Sequence, residues 1–170
     1  MFQVNDVIVY GNQGVCRIAG TEEKSISGKK KLYYVLQSVN DSGSTIYAPT
    51  DNPLVLQKMR RLLTKEEIHR LIASMPRETP LWEENENARK ELYKRILAKG
   101  DHLELIQMIN AIYAQKTERE AQGKRLHMSD ERFFKDAEQL LYNEFQYVLG
   151  LEDKSQLMAY ISQQIQQNNP

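Results

Sequence analysis

From Met1 to about Leu56, apolar and polar positions alternate: Phe2 and Val4, then Val7 and Val9 with Ile8 and Tyr10 on the opposite side, then Val15, Ile18, Tyr33, Val35, Ile46 and Ala48. A period of two built from β-branched and aromatic residues is a strand signature. The runs are cut at Asn5-Asp6, Gly11-Asn12-Gln13-Gly14, Ser27-Gly28-Lys29, Asn40-Asp41-Ser42-Gly43 and Pro49-Thr50-Asp51-Asn52-Pro53, all rich in turn-forming residues. Four or five short strands with no room for crossover helices predict a small antiparallel barrel.

After Leu62 the period becomes helical. Thr64 with Glu67 three residues on forms a capping box, opening a helix through Ile68, Leu71 and Ile72 that stops near Met75-Pro76. Residues 76–87 read as a connection. A second helix covers about Ala88 to Ala98, with Leu92, Ile96 and Leu97 on one side and Gly100 past its end. Asp101 with Glu104 caps a third, carrying Leu105, Ile106, Ile109, Ile112 and Tyr113. Ser129, followed by Asp130 and Glu131, opens a fourth, and a weaker fifth spans Ser155 to Ile165 with a frayed tail from Gln166 to Pro170. The chain is therefore of the α+β class, with a barrel over residues 1–60 and an all-α bundle of about five helices over residues 61–170. No internal repeat is evident.

Charge adds one asymmetry to this picture. The 170-residue chain has 23 Lys+Arg and 23 Asp+Glu, so no global field draws it to nucleic acid. Residues 1–62 carry 8 basic and 5 acidic side chains, a net of +3, and residues 63–170 carry 15 and 18, a net of −3. A single cysteine, Cys16, excludes an internal disulfide. The absence of a signal-like start or a membrane-length apolar run predicts a soluble, cytoplasmic protein without membrane contact.

Candidate chemistry is sparse. His69, His102 and His127 are far apart, and none has a second ligand at metal spacing. Cys16 reads as a small core residue on a strand. Gly11-Asn12-Gln13-Gly14 precedes a strand, whereas a phosphate cradle needs a helix N-terminus, so it reads as a turn. The carboxylates read as solvated helix faces with i, i+4 partners such as Glu91 with Arg95. No catalytic residue, metal site or cofactor is predicted. Three features suit binding: the basic tip Gly28-Lys29-Lys30-Lys31, the group Arg89, Lys90, Lys94 and Arg95, and Trp82, the chain's only tryptophan, in a polar connection. Trp82 reads either as an anchor packed on the bundle or as an exposed wedge.

The order of these pieces resembles the CarD family of bacterial RNA polymerase-binding transcription regulators. The likeness is carried by "FQVNDVIVYGNQGVCRI" (Phe2 to Ile18), Gly28, "YYVL" (Tyr33 to Leu36) and "TIYAP" (Thr45 to Pro49). Trp82 at the entrance to the helices, "AKGD" (Ala98 to Asp101) and "KRLHMSDERFFKDAEQLL" (Lys124 to Leu141) complete it. The resemblance implies a Tudor-like barrel, similar to the polymerase-interacting domain of transcription-repair coupling factors, that docks on the polymerase β subunit by an exposed strand edge. The contact set implied is Lys24, Thr45, Ile46, Tyr47 and Pro49, with Tyr47 departing from the basic residue usual there.

For the helical part the resemblance implies weak, largely non-specific contact with promoter DNA through Trp82 as a minor-groove wedge and Arg89, Lys90 and Lys94 at phosphates. Glu83, Glu84 and Glu86 depart from the basic residues that members place after the tryptophan. The implied activity is a non-enzymatic regulator of open-complex stability, cytoplasmic and nucleoid-associated through the polymerase. An adaptor that binds only proteins is the alternative, and the exposed strand edge leaves both a monomer and a domain-swapped dimer open.

Overall fold

The structure is a computed structural model that describes residues 1–168, and the chain divides into two compact units, Met1–Leu62 and Leu63–Pro170. The first holds strands β1 (Val7–Tyr10), β2 (Val15–Ile26), β3 (Lys29–Ser38), β4 (Thr45–Pro49) and β5 (Met59–Arg61), with a single helical turn, α1 (Pro53–Leu56). All pairings are antiparallel in the order β4-β3-β2-β1-β5. The expected small antiparallel architecture is thus present as a five-stranded sheet with β4 and β5 at its edges.

Local chemistry explains the turns. Ser27 and Gly28 both have positive φ (52° and 77°), as the two central residues of a type I′ hairpin turn require. Gly11–Gln13 forms a 3-10 turn, with Tyr10 N–H donating to Gly14 O at 3.0 Å, so the glycine pair turns the chain. Between Ile18 and Gly20 the β2/β3 register slips by one residue at Ala19, a bulge that increases local twist. One face of the sheet gathers Ile8, Cys16, Ile18, Tyr34, Leu36, Ala48 and Met59 into a core. The periodic reading missed β5, whose sequence Met-Arg-Arg has no apolar alternation, and α1, which Asn52 caps by accepting from Leu54 N–H with Pro53 at the first position.

The second unit is helical throughout: α2 (Lys65–Ser74), α3 (Glu86–Lys99), α4 (His102–Ala121), α5 (Met128–Leu149) and α6 (Lys154–Asn168). Both halves of the Thr64/Glu67 capping box are made, and Gly100 ends α3 in the left-handed region with φ 69°. Three boundaries differ from expectation. Asn85 caps α3, so it starts at Glu86. Helix α5 starts at Met128 without a side-chain cap, and the acid in its first turn, Asp130, is buried. Helix α6 continues through Gln166 to Asn168 where fraying was expected, while Asn169 and Pro170 lie outside the described residues. The core joins Ile68, Ile72, Tyr93, Ile96, Leu105, Met108, Ile112, Leu141, Phe145 and Leu157. On α3 its centre is the stripe Arg89, Tyr93 and Ile96, and the expected Leu92 and Leu97 are only half-buried.

Candidate functional site

Two places hold the residues singled out above, one in each unit. In the first, the phase of the β3/β4 ladder is fixed by Thr50 N–H donating to Leu32 O at 3.0 Å and Ser38 N–H to Ser44 O at 3.5 Å. Antiparallel pairs alternate between bonded and non-bonded. Ile46 and Ala48, opposite Leu36 and Tyr34, therefore turn their main-chain groups toward β3. Thr45 and Tyr47, opposite Gln37 and Val35, turn theirs outward, joined by the carbonyl of Pro49. Beyond Thr45 and Tyr47, the free edge ends at a residue with no N–H. Ile46, expected among the contacts, instead seats the strand: its main chain is on the β3 side and its side chain packs on the core.

Tyr47 stands on the sheet face opposite Leu36 and Ala48, 40 % exposed, and the Lys24 ammonium lies 3.1 Å from the centre of its ring. The two positions named from sequence thus form one cation–π pair beside the free edge. At the hairpin tip, Lys30 meets Glu23 at 3.5 Å and Lys31 meets Asp51 at 3.6 Å, all well exposed. Such pairs are worth little, which fits a solvated turn.

In the second unit, the connection after α2 is tied to the bundle by its main chain. Leu81 N–H donates to Gln107 O at 3.2 Å, and the Tyr93 hydroxyl donates to Leu81 O at 2.9 Å. Between these anchors and α3, Trp82 is half-buried against the core, with its indole Nε1 buried and unbonded within the protein. The Arg89 guanidinium lies 4.2 Å from the centre of the Trp82 ring. It also donates to Asp130 through Nε (3.0 Å) and Nη2 (2.9 Å), and through Nη1 to the carbonyls of Glu83 (2.9 Å) and Glu84 (3.4 Å). Arg89 is 3 % exposed and Asp130 1 %.

Arg89 is therefore corrected: it is an interior hub, with its planar fork committed to a carboxylate and two carbonyls. Its hydrogen bonds to Asp130 raise its hold on the proton, against the opposing effect of burial. The same burial pushes the Tyr93 phenol up, helped by the nearby Asp130 charge. The sequence did carry a signal, because Arg89 lies four residues before Tyr93 and seven before Ile96, on the buried stripe of α3.

Lys90 and Lys94 remain at the surface. Lys90 pairs with Glu86 at 2.9 Å and Lys94 with Glu91 at 3.4 Å, so Glu91 takes Lys94 and not the expected Arg95. The Lys90 contact draws the Glu86 carboxyl below its usual range, with His127 adding to the pull. Helix α5 thus enters beside the first turn of α3. The exposed Lys124 and Arg125 just before α5, overlooked as cations in the sequence, make no ion pair among the described residues.

The remaining candidates have structural partners. His69 bonds and stacks with Tyr160, and His102 Nε2 meets the buried Glu144 at 3.0 Å. Cys16 is fully buried, which pushes its thiol up. Among the described residues no three His, Cys, Asp or Glu side chains gather as metal ligands, and no helix is long and apolar enough to cross a membrane.

No curated protein matches the chain. A family model for the CarD-like/TRCF RID domain matches residues 2–62, which is the strand-built unit from its first aromatic residue to its boundary. That segment has the open strand edge and the Lys24–Tyr47 pair. Over residues 2–62 the chain is thus similar to the CarD-like/TRCF RID domain family, an RNA polymerase-interacting, transcription-related family that is not a family of enzymes.

Proposed function

We propose that the chain is a non-enzymatic transcription regulator that docks on the RNA polymerase β subunit by the free edge of β4 and modulates open promoter complexes through its helical unit. The observation that carries this reading is the outward main chain of Thr45 and Tyr47 in the matched domain. A partner strand added there gains main-chain hydrogen bonds, and Lys24 over Tyr47 gives the edge charge and a flat apolar surface.

In the helical unit, Trp82 acts as a wedge at a distorted base step, with Lys90 and Lys94, joined by Lys124 and Arg125, at phosphates. The acidic segment Glu83, Glu84 and Glu86 keeps intrinsic DNA affinity low, and tethering to polymerase compensates, because effective concentrations for short tethers reach about millimolar. The lysine–glutamate pairs on α3 are exposed and weak, so a phosphate can displace the glutamates.

Two measurements test the proposal. Thr45→Pro removes one outward N–H at a position that bears no β3 ladder bond, so polymerase affinity should fall about fivefold, the worth of roughly one hydrogen bond, with the sheet intact. Unchanged affinity rejects docking by this edge. Trp82→Ala, checked to be folded, should abolish the protein's effect on open-complex lifetime. If wild type itself leaves that lifetime unchanged, the protein-only adaptor takes the place of the DNA reading.

A further inference from the structure

Arg89 meets Trp82 in two ways that are independent of each other. Its guanidinium carbon lies over the indole, 4.2 Å from the ring centre, and its Nη1 holds the carbonyls of the next two residues, Glu83 and Glu84. Asp130, on another helix, fixes the fork of Arg89 at two oxygens, 3.0 and 2.9 Å away. The position of the indole is thus set through Arg89 by a carboxylate 41 residues further along the chain from that arginine.

The pose has a chemical consequence. The only polar atom of a tryptophan side chain is its indole N–H, and here that atom is buried. Any part of the indole that reaches solvent is therefore carbon. A partner meeting Trp82 finds an apolar edge and no donor, which suits insertion or stacking and gives no hydrogen bond for reading a base edge.

We propose that Arg89 and Asp130 are positioning residues for Trp82, holding the indole with its N–H turned inward so that it presents only carbon to its partner. This deepens the wedge reading of the helical unit and rests on it for the identity of the partner, but the pose itself is measurable without any partner. Glu83 and Glu84 belong to the same device. Their carbonyls are held by Arg89 while both residues are exposed, so the acids beside the wedge stay on the solvent side.

A single tryptophan gives a single indole N–H resonance in a proton–nitrogen spectrum, and its exchange with solvent reports the pose directly. In wild type the exchange should be slow. Arg89→Lys keeps a cation opposite Asp130 but loses the bidentate fork, the stack and the grip on the two carbonyls. Exchange and acrylamide quenching should then rise several-fold while helical circular dichroism is retained.

The charge-swapped pair Arg89→Asp with Asp130→Arg separates positioning from simple ion pairing. An interaction that only stabilises the fold is restored by the swap, but an arginine at 130 does not reproduce the grip beside Trp82, so the resonance should stay fast-exchanging. Wild-type exchange in Arg89→Lys, or rapid exchange in the native protein, overturns the proposal. Slow wild-type exchange lost in Arg89→Lys, together with no effect of Trp82→Ala on open complexes, leaves the positioning in place and rejects only the DNA wedge.

Discussion

Each unit contains an aromatic ring capped by a cation, and the two pairs differ in every respect but that one. Lys24 and Tyr47 meet on the outer face of a sheet, with the tyrosine 40 % exposed. Arg89 and Trp82 meet where the arginine is 3 % exposed and tied to a buried carboxylate. A surface cation–π contact contributes about 0.5–1 kcal/mol and can be exchanged for a partner's group at little cost. The Arg89 contact is a fixture, because the same guanidinium is ion-paired with Asp130 in the interior, where removing either charge strands the other in a poor solvent. The same contact thus serves as an adaptable surface in one unit and as an internal mount in the other.

The largest expected effect breaks the mount. Asp130→Ala leaves Arg89 buried without its counter-charge and should cost about 3–5 kcal/mol of the helical unit's stability in a denaturant titration followed by tryptophan emission. A loss below about 1 kcal/mol, the ordinary range of a surface pair, would place the two pairs in the same class.

The next effect comes with alkali. Burial, with some help from Glu138, pushes the Tyr142 phenol up to about 12. The folded state therefore keeps its proton after the unfolded chain has lost it, so this group's stabilising contribution is full below about pH 10. It is lost progressively as pH rises from there toward the folded value. Ultraviolet titration of the folded protein should show the Tyr142 phenol ionising well above pH 10, and a Tyr142→Phe variant that leaves the folded-state titration curve unchanged in that range contradicts the burial.

A smaller effect concerns the lashing of the connection. Tyr93→Phe deletes the hydroxyl that reaches Leu81 O and should cost about 1–2 kcal/mol, with the carbonyl left short of a donor. Smallest of all, Lys24→Ala should shift the stability of the sheet unit by no more than about 1 kcal/mol. A marked destabilisation there would make the Lys24–Tyr47 pair structural and count against its role as a docking surface.

How far the fold was legible follows from how local its causes are. Alternation gave the long strands, and Thr64/Glu67 and Gly100 gave helix ends, because each depends on residues three or four apart. Strand β5 was not legible, since its strand character comes from pairing with β1. The free edge could be anticipated only through the resemblance, and the alternation between Thr45, Tyr47 and their neighbours required the observed register. Arg89 was misplaced for a related reason. Its charge suggested solvent, and its fate was decided by Asp130, 41 residues away, a pairing that no local pattern announces. Ile46 shows the converse: it sits inside the correct segment, but the parity of the ladder turns it away from the edge.

The burial of Cys16 makes the sheet unit its own stopwatch. With no exposed surface and a thiol whose ionisation is disfavoured by its surroundings, the sulfur can meet a water-soluble alkylating reagent only while the strands around it are open. The rate at which a large excess of reagent consumes the native protein therefore counts opening events of the strands around Cys16, and not those of the helical unit that contains the tryptophan.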